Sequence, residues 1–167
     1  MWRNRMANIY KFKVNLEEVE SEREIEITST STLAKLGYAI LAAFGAEGSH
    51  LFEIEFDGRR FRHNFENENL IDITTIKLDQ VGLYVGEKLN MVYDFGAKWK
   101  FNIAVLAMTP MENGTGTHYP YIVSGNGDGI TDDMFPSEIN NTNSWNIDIE
   151  NALYKGNIAR LQEIYEN

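Results

Sequence analysis

The strongest pattern in this sequence is an amphipathic segment at residues 31–45, where apolar residues recur with the spacing of a helix. They form a single stripe, made of Leu33, Leu36, Ile40, Leu41 and Phe44. Ser31 or Thr32 can cap the first turn by accepting hydrogen bonds from free backbone N–H groups. Gly45 can adopt the left-handed conformation that ends many helices. The segment therefore predicts one helix whose apolar stripe lies across a sheet.

Stretches on both sides of this helix alternate between apolar and polar residues, which is the pattern of half-buried strands. We expect an N-terminal hairpin, a second hairpin that turns at Asp57-Gly58, a short strand, and a last hairpin that turns at Gly96-Ala97. These elements occupy residues 9–16 with 23–28, 51–62, 73–78, and 89–95 with 98–108. Hairpins and one covering helix indicate an α+β fold, with an antiparallel or mixed sheet of about six to seven strands that resembles a β-grasp.

Two further regions follow this core of residues 9–108. Residues 109–145 are rich in Gly, Asn, Thr and Asp and predict a long loop, which packs on the core through Tyr119, Tyr121 and Phe135. Residues 146–167 predict a C-terminal helical segment that breaks near Gly156-Asn157. Its expected buried side consists of Ile149, Leu153, Ile158, Leu161 and Ile164. We expect residues 1–167 to form a single domain.

Composition excludes several kinds of chemistry. The chain has no cysteine, which removes disulfides, thiolate zinc sites and cysteine nucleophiles. Neither a signal peptide nor a membrane-spanning apolar run is evident, so we expect a cytoplasmic protein without membrane contact. The net charge of −10, from 15 basic and 25 acidic residues, disfavours nucleic acid as a partner because binding to phosphates relies on positive charge.

Three short stretches carry motifs in the order and spacing of a known family. They are Ser49-His50-Leu51 after the helix end, Tyr93-Asp94-Phe95-Gly96 followed by Trp99, and Tyr119-Pro120 followed by Gly125 and Asp132-Asp133. In these stretches the sequence resembles the plasmid pRiA4b ORF-3-like family, which occurs on bacterial plasmids, transposons and chromosomes. The function of that family is unsettled, and some of its members are labelled as transposon resolvases.

The chain departs from the family pattern at several polar positions. Phe52 and Phe101 stand where many members have histidine, Ala97 replaces an aspartate, and Ile122 stands near a common cysteine. These departures turn much of a polar or metal-binding cluster apolar. The three histidines, His50, His63 and His118, lack the spacing of a metal site, so we expect neither a metal nor a cofactor.

The polar and aromatic residues that match the family motifs are the candidate ligand-binding residues. They are His50, Asp94, Trp99, Tyr119, Asp132 and Asp133. Together they predict a cleft beside the last hairpin for a small or peptidic ligand, oriented by an imidazole and a carboxylate. The alternative is purely structural: Asp94 would cap the turn at Gly96, Trp99 would be a core residue, and His50 would be a hydrogen-bonded joint between helix and strand.

A local basic cluster is the candidate nucleic-acid contact. It contains Arg59, Arg60 and Arg62 on the second hairpin. The alternative is that these side chains balance Glu53 and Glu55 on the paired strand. No helix-turn-helix or serine–arginine recombinase site is evident in the sequence.

Three functions remain after these exclusions. The favoured one is a non-enzymatic binding or interaction module for an unknown protein or small ligand. The first alternative is a nucleic-acid accessory factor of a mobile element, related to resolvases. The second is a hydrolase or metal enzyme that uses His50, Asp94, Asp132 and Asp133 in a cleft.

Overall fold

One mixed sheet forms the frame of the protein in the computed structural model, which describes residues 7–63, 69–139 and 144–167. Within these ranges the sheet has eight strands: β1 (Asn8–Leu16), β2 (Glu22–Thr28), β3 (Phe52–Phe56), β4 (Arg59–Arg62), β5 (Leu70–Asp72), β6 (Lys88–Tyr93), β7 (Trp99–Pro110) and β8 (Tyr121–Asn126). The helices are α1 (Leu33–Ala43), α2 (Leu78–Val81) and α3 (Ile147–Glu166). The predicted α+β class is therefore confirmed.

The strands lie in the order β5-β4-β3-β6-β7-β1-β2-β8. All neighbours are antiparallel except β4 and β5, which are parallel. The three predicted hairpins pair as expected, and the second turns through Asp57 and Gly58, both with positive φ. The resemblance to a β-grasp stays a prediction.

Helix α1 begins and ends where the sequence indicates, but it is buried on more than one side. Thr32 caps it, since its Oγ1 accepts a hydrogen bond of 3.1 Å from the backbone N–H of Lys35. Every residue of α1 except Lys35 is buried. Helix α3 covers the side that faces away from the sheet, and Tyr154 of α3 donates a hydrogen bond of 2.7 Å to the carbonyl of Ala39. Helix α1 thus packs against both the sheet and α3.

Two stretches differ from their predicted structure. Residues 73–78 do not form a strand; β5 ends at Asp72, whose carboxylate accepts hydrogen bonds from the N–H and the hydroxyl of Thr74 and so fixes a turn. The expected loop at 109–145 contains β8, which gives eight strands rather than six to seven. Short-range patterning missed β8 because its partner, β2, lies about a hundred residues earlier in the chain.

Helix α3 is continuous through Gly156, so the predicted break is wrong. Its buried face consists of Tyr154, Ile158, Leu161 and Tyr165, whereas Ile149, Leu153 and Ile164 are exposed. The tyrosines bury their rings and use their hydroxyls to bond backbone carbonyls, an option that leucine and isoleucine lack. No helix in the described part of the chain is both long and apolar enough to span a membrane.

The outer edge of β8 is covered by a side chain of α3. The Asn151 amide accepts a hydrogen bond of 3.0 Å from the N–H of Ile122 and donates one of 2.8 Å to its carbonyl. It therefore imitates the pairing that another strand would provide. Unpaired edges invite association with other chains, and this contact satisfies the edge groups of Ile122 within its own molecule.

A buried arginine joins β2 to α1 and to the end of β8. The Arg23 side chain is fully buried and donates hydrogen bonds to the carbonyls of Ala43, Glu22, Asn126 and Gly127 and to the Ser21 hydroxyl. Its guanidinium also lies 4.6 Å from the ring centre of Phe44 and 4.0 Å from that of Trp145. Burial lowers the pKa of Arg23 to about 10, against the opposing effect of Glu150 and Asp128, so it stays charged at neutral pH.

We expect Arg23→Met to lower the free energy of unfolding by about 3–5 kcal/mol, because it leaves several buried carbonyls without a donor. Arg60→Met is the matched control on a strand, since Arg60 forms an exposed ion pair with Glu53. That change is expected to cost no more than about 1 kcal/mol. Urea unfolding of both variants measures the difference, and equal losses would contradict the role given to Arg23.

Two glycines in helices are expected to change stability in opposite directions when they are replaced by alanine. A Cβ at Gly156 of α3 meets nothing within 4 Å, so Gly156→Ala is expected to raise the free energy of unfolding by about 0.5–1 kcal/mol. A Cβ at Gly37 of α1 would lie 2.3 Å from the Phe52 ring, so Gly37→Ala is expected to destabilise the protein. Thermal unfolding tests both, and a fall in stability for Gly156→Ala would show that α3 does break there.

Candidate functional site

Three separated segments of the chain meet at one end of the sheet. The first, residues 47–52, leads into β3. The second is the β6–β7 turn at residues 94–98, which adjoins the first because Phe52 pairs with Tyr93 and Tyr93 with Trp99. The third is residues 131–134, here called the strap. These segments carry the Ser-His, Asp-Phe-Gly and Asp-Asp motifs.

Asp132 anchors the strap from inside the cluster. Its Oδ2 accepts hydrogen bonds of 2.5 Å from the Tyr93 hydroxyl and 2.6 Å from the Ser49 hydroxyl, and its Oδ1 accepts one of 3.1 Å from the N–H of Glu47. Burial by itself would raise the pKa of the Asp132 carboxyl, but these donors together hold the pKa below its ordinary value. Burial, with the Asp132 charge, raises the pKa of Tyr93 far above the usual range, so the phenol stays protonated as a donor.

His50, Asp94 and Asp133 form the outer part of the cluster. The Nε2 atom of His50 lies 2.8 Å from Asp133 Oδ1 and 3.4 Å from Asp94 Oδ2. The side chain of Asp133 is 79% exposed, that of His50 29% and that of Asp94 13%. The backbone of His50 is held as well, because the Tyr165 hydroxyl donates to its carbonyl. The imidazole is therefore fixed at the boundary between core and solvent.

Asp94 caps the turn and also faces His50. Its Oδ1 accepts hydrogen bonds of 3.1 and 3.2 Å from the N–H groups of Gly96 and Ala97, which caps the turn, while its Oδ2 faces His50. Asp94 and Asp133 also share a backbone conformation with positive φ, 64° and 66°. That conformation is uncommon outside glycine, although aspartate tolerates it better than most residues.

Trp99 is a core residue that also holds the strap. Its side chain is buried, and its indole Nε1 donates a hydrogen bond of 3.0 Å to the carbonyl of Met134. Just before the strap, the N–H of Ile130 bonds the carbonyl of Phe44. Gly129 is needed there, since a Cβ would lie 1.9 Å from the Phe44 oxygen. The strap is thus fixed by both its backbone and its side chains.

Tyr119 does not join this cluster. It precedes β8, whose Tyr121 pairs with Glu26, whereas the strap follows the opposite end of β8, where Asn126 pairs with Glu22. The Tyr119 ring instead packs edge-on against His118. Five of the six predicted ligand-binding residues therefore lie together, and Tyr119 lies at the other end of the sheet.

Ser49, Tyr93 and Tyr165 belong to the cluster but were not among the candidate residues. Strand alternation could have indicated Tyr93, because it turns a hydroxyl toward the core where that group needs a partner. Nothing local could have indicated Tyr165, which reaches the site from α3. Phe52 and Phe101, where the resemblance suggests histidine, are buried among aromatic rings.

The arrangement constrains the chemistry that the cluster can perform. The Ser49 hydroxyl donates to Asp132 rather than to His50, so serine and histidine do not form a nucleophile–base pair. Over the described ranges, no group of three or more His, Asp or Glu side chains is placed to hold a metal ion. What the cluster offers outward is carboxylate and imidazole groups that can accept or donate hydrogen bonds.

The three arginines of the second hairpin are largely occupied by other groups. The Nε atoms of Arg60 and Arg62 each donate a hydrogen bond of 2.8 Å to Glu53 Oε1, and Arg62 lies over the Phe95 ring. Arg59 donates to the carbonyl of Val81. For Arg60 and Arg62 this geometry agrees with their interpretation as partners of a carboxylate on the adjacent strand.

Fold and cluster together define a class: α+β proteins with a single broad sheet, in which residues from three separated motifs meet at one sheet end. A family model described as plasmid pRiA4b ORF-3-like protein matches residues 8–137. The chain belongs to that family, as its motifs indicate. The matched region includes the whole strap.

A solved structure has a similar fold. It is the crystal structure of the protein of unknown function MM3350 from Methanosarcina mazei Go1, with a TM-score of 0.67 and 22% sequence identity. The match covers 77% of this chain and 74% of that one. At this identity the likeness concerns the fold alone. No curated protein matches the chain.

Asp132→Asn is expected to lower the free energy of unfolding at pH 7 by about 1–3 kcal/mol, because a neutral amide cannot accept from all the donors that face it. A carboxyl whose pKa is lowered by folding stabilises the protein above its ordinary pKa of about 3.9, and this stabilisation is lost as pH falls through the folded-state pKa. The difference between wild type and variant should therefore shrink on acidification. Urea unfolding across a pH series measures it, with Asp57→Asn as control; a constant difference would contradict the assignment.

Proposed function

We propose that this protein is a non-enzymatic binding module whose contact surface is the outer part of the cluster, formed by His50, Asp94 and Asp133. One observation carries the proposal. Residues from three motifs that are far apart in sequence meet in one hydrogen-bonded cluster, although Tyr119 of the third motif lies elsewhere, and the exposed carboxylate of Asp133 lies at its surface. Trp99, Tyr93 and Asp132 hold this surface from within, as expected for a preorganised recognition site.

Backbone conformation supports the same conclusion. Asp94 and Asp133 both keep a positive φ while their side chains converge on one imidazole. Such conformations are uncommon outside glycine, and besides tight turns they concentrate at ligand clamps and active sites. Here the turn hydrogen bonds to Asp94 and the strap contacts of Asp132 hold the backbone in place.

The ligand is expected to carry a cationic group. In the part of the chain that the structure describes, neither Asp94 nor Asp133 forms an ion pair with lysine or arginine; both face His50. Carboxylates in this position attract ammonium or guanidinium groups and form charge-assisted hydrogen bonds with them. A lysine- or arginine-containing peptide therefore fits this surface better than an acidic ligand does.

The two alternative functions stay predictions with weaker geometric support. A nucleic-acid accessory role would need arginines that reach phosphates, but Arg60 and Arg62 are bonded to Glu53 in a chain of net charge −10. A hydrolase would need an activated nucleophile, but the Ser49 hydroxyl donates to Asp132.

Asp133→Asn is expected to weaken the binding of tetralysine peptide by about fivefold or more at low ionic strength, because it removes an exposed charge. Asp57→Asn is the matched control, since Asp57 is also an aspartate with positive φ but lies in the β3–β4 turn. Its effect should stay within about twofold. Amide chemical shifts of residues 47–50, 94–97 and 131–134 report the binding.

Tetraglutamate peptide tests whether the interaction depends on the sign of the charge. The proposal requires that it leave these amide signals unmoved. It fails if both peptides shift the same signals, if neither does, or if Asp57→Asn weakens tetralysine binding as much as Asp133→Asn.

A further inference from the structure

The face of the sheet that points away from α1 carries a second polar surface. This surface is basic, whereas the cluster at the sheet end is acidic. The central strands β1, β7 and β6 point their polar side chains outward there, and these are Lys11, Lys13, Asn15, Lys88, Asn90, Lys100 and Asn102. No outward-pointing carboxylate lies on this part of the three strands, although the chain has 25 acidic residues and only 15 basic ones. The glutamates of this face lie on the flanking strands, β2 and β3. Charge is therefore segregated by strand.

An unbroken row of three asparagines crosses the centre of this face. Asn15 pairs with Asn102, and Asn102 pairs with Asn90 on its other side. Among the described residues, none of the three side chains forms a hydrogen bond within the protein. Asparagine is depleted in strands because it packs poorly on a pleated surface. Three neighbouring asparagines in central strands therefore lower the stability of the sheet, and no hydrogen bond of their side chains within the described protein offsets this loss.

Next to the asparagine row, two lysines flank a small residue. Lys13 and Lys88 both pair with Ala104, one on each side. Their backbones are thus two interstrand spacings apart, roughly 10 Å. Lysine side chains are long and flexible, so both ammonium groups can reach one ligand group that lies above the alanine. These residues line a concavity of about 400 Å³. Lys13 also lies 3.5 Å from Glu22, but both side chains are exposed, so that pair is weak.

We propose that this concavity, called here the lysine–asparagine face, binds a small molecule that carries an oxyanion. The ammonium groups of Lys13 and Lys88 hold the phosphate or carboxylate above Ala104, and Asn15, Asn90 and Asn102 bond its neighbouring hydroxyl or amide groups. Glutamates of β2 border this surface on one side, and on the other side Glu53 of β3 is paired with Arg60 and Arg62 of β4. The lysines and asparagines themselves span a width of three strands. That width suits a compact anion and disfavours a nucleic-acid duplex, which is about twice as wide.

Glycerol 3-phosphate and glycerate test this proposal, since they present a phosphate or a carboxylate on the same short polyol. In low-salt NMR titrations, at least one of them should shift the side-chain amide signals of Asn15, Asn90 and Asn102, with an affinity that falls as salt is added. The two arms show which oxyanion is preferred. Shifts confined to other residues, or no shift with either compound at millimolar concentration, would overturn the proposal.

Lys88→Gln should weaken binding about tenfold, because it removes one of the two charges that contact the anion. Lys155→Gln, on the exposed side of α3, is the matched control and should leave the affinity unchanged. If both variants weakened binding equally, the interaction would depend only on the net charge of the protein, and the proposed site would be refuted. Asp133→Asn should not weaken anion binding, which separates this test from that of the cluster at the sheet end.

Asn102→Val provides a second, independent variant. Valine favours strands, so the variant should unfold at the same or a higher temperature while losing the anion-induced shifts. Retained binding in a folded Asn102→Val variant would contradict the role of the asparagine row. Hexauridylate RNA is titrated in the same way. If the RNA bound to these residues and neither small anion did, the proposed ligand would be wrong and the face would bind single-stranded nucleic acid instead.

Discussion

The position of the candidate site depends on the buried guanidinium of Arg23. Its hydrogen bonds tie the end of α1 to the start of β2 and to the residues that follow β8. From there the chain passes Gly129, which touches the backbone of Phe44, and continues into the strap. A charge buried in this way is stable only if every donor finds an acceptor. The same requirement fixes the path of the chain that carries Asp132 and Asp133.

The cluster is built outward from the core. Aromatic side chains bury their rings and direct their polar atoms at the site: Tyr93 toward Asp132, Trp99 toward Met134 and Tyr165 toward the backbone of His50. The structural and the ligand-binding interpretations of these residues are therefore compatible. Residues that stabilise the junction leave His50 and Asp133 at its surface, with their orientation already fixed. Little ordering would then be required for binding at the proposed surface.

The protein presents two polar surfaces of different charge. Carboxylates dominate the sheet end where the three motifs meet, whereas lysines and amides occupy the central strands of the open sheet face. The overall charge of −10 conceals this separation. This separation arises because the outward side chains of one strand are often of the same kind, such as the lysines and asparagines of β1, β6 and β7. The strand order then decides which of these sets become neighbours.

Local patterning was sufficient for α1, for the three hairpins and for the family, because periodicity, caps and turn residues act over a few positions. It failed for β8, for the continuity of α3 and for Tyr119. In each case distant residues decide the outcome: β8 pairs with β2, the tyrosines of α3 find partners on α1 and near β3, and Tyr119 precedes β8 at the end away from the strap. The amino-acid sequence by itself determined which polar residues the protein has available and which elements carry them. Only the tertiary structure decided which of them meet, because strand order and the burial of Arg23 are set by contacts across the whole chain.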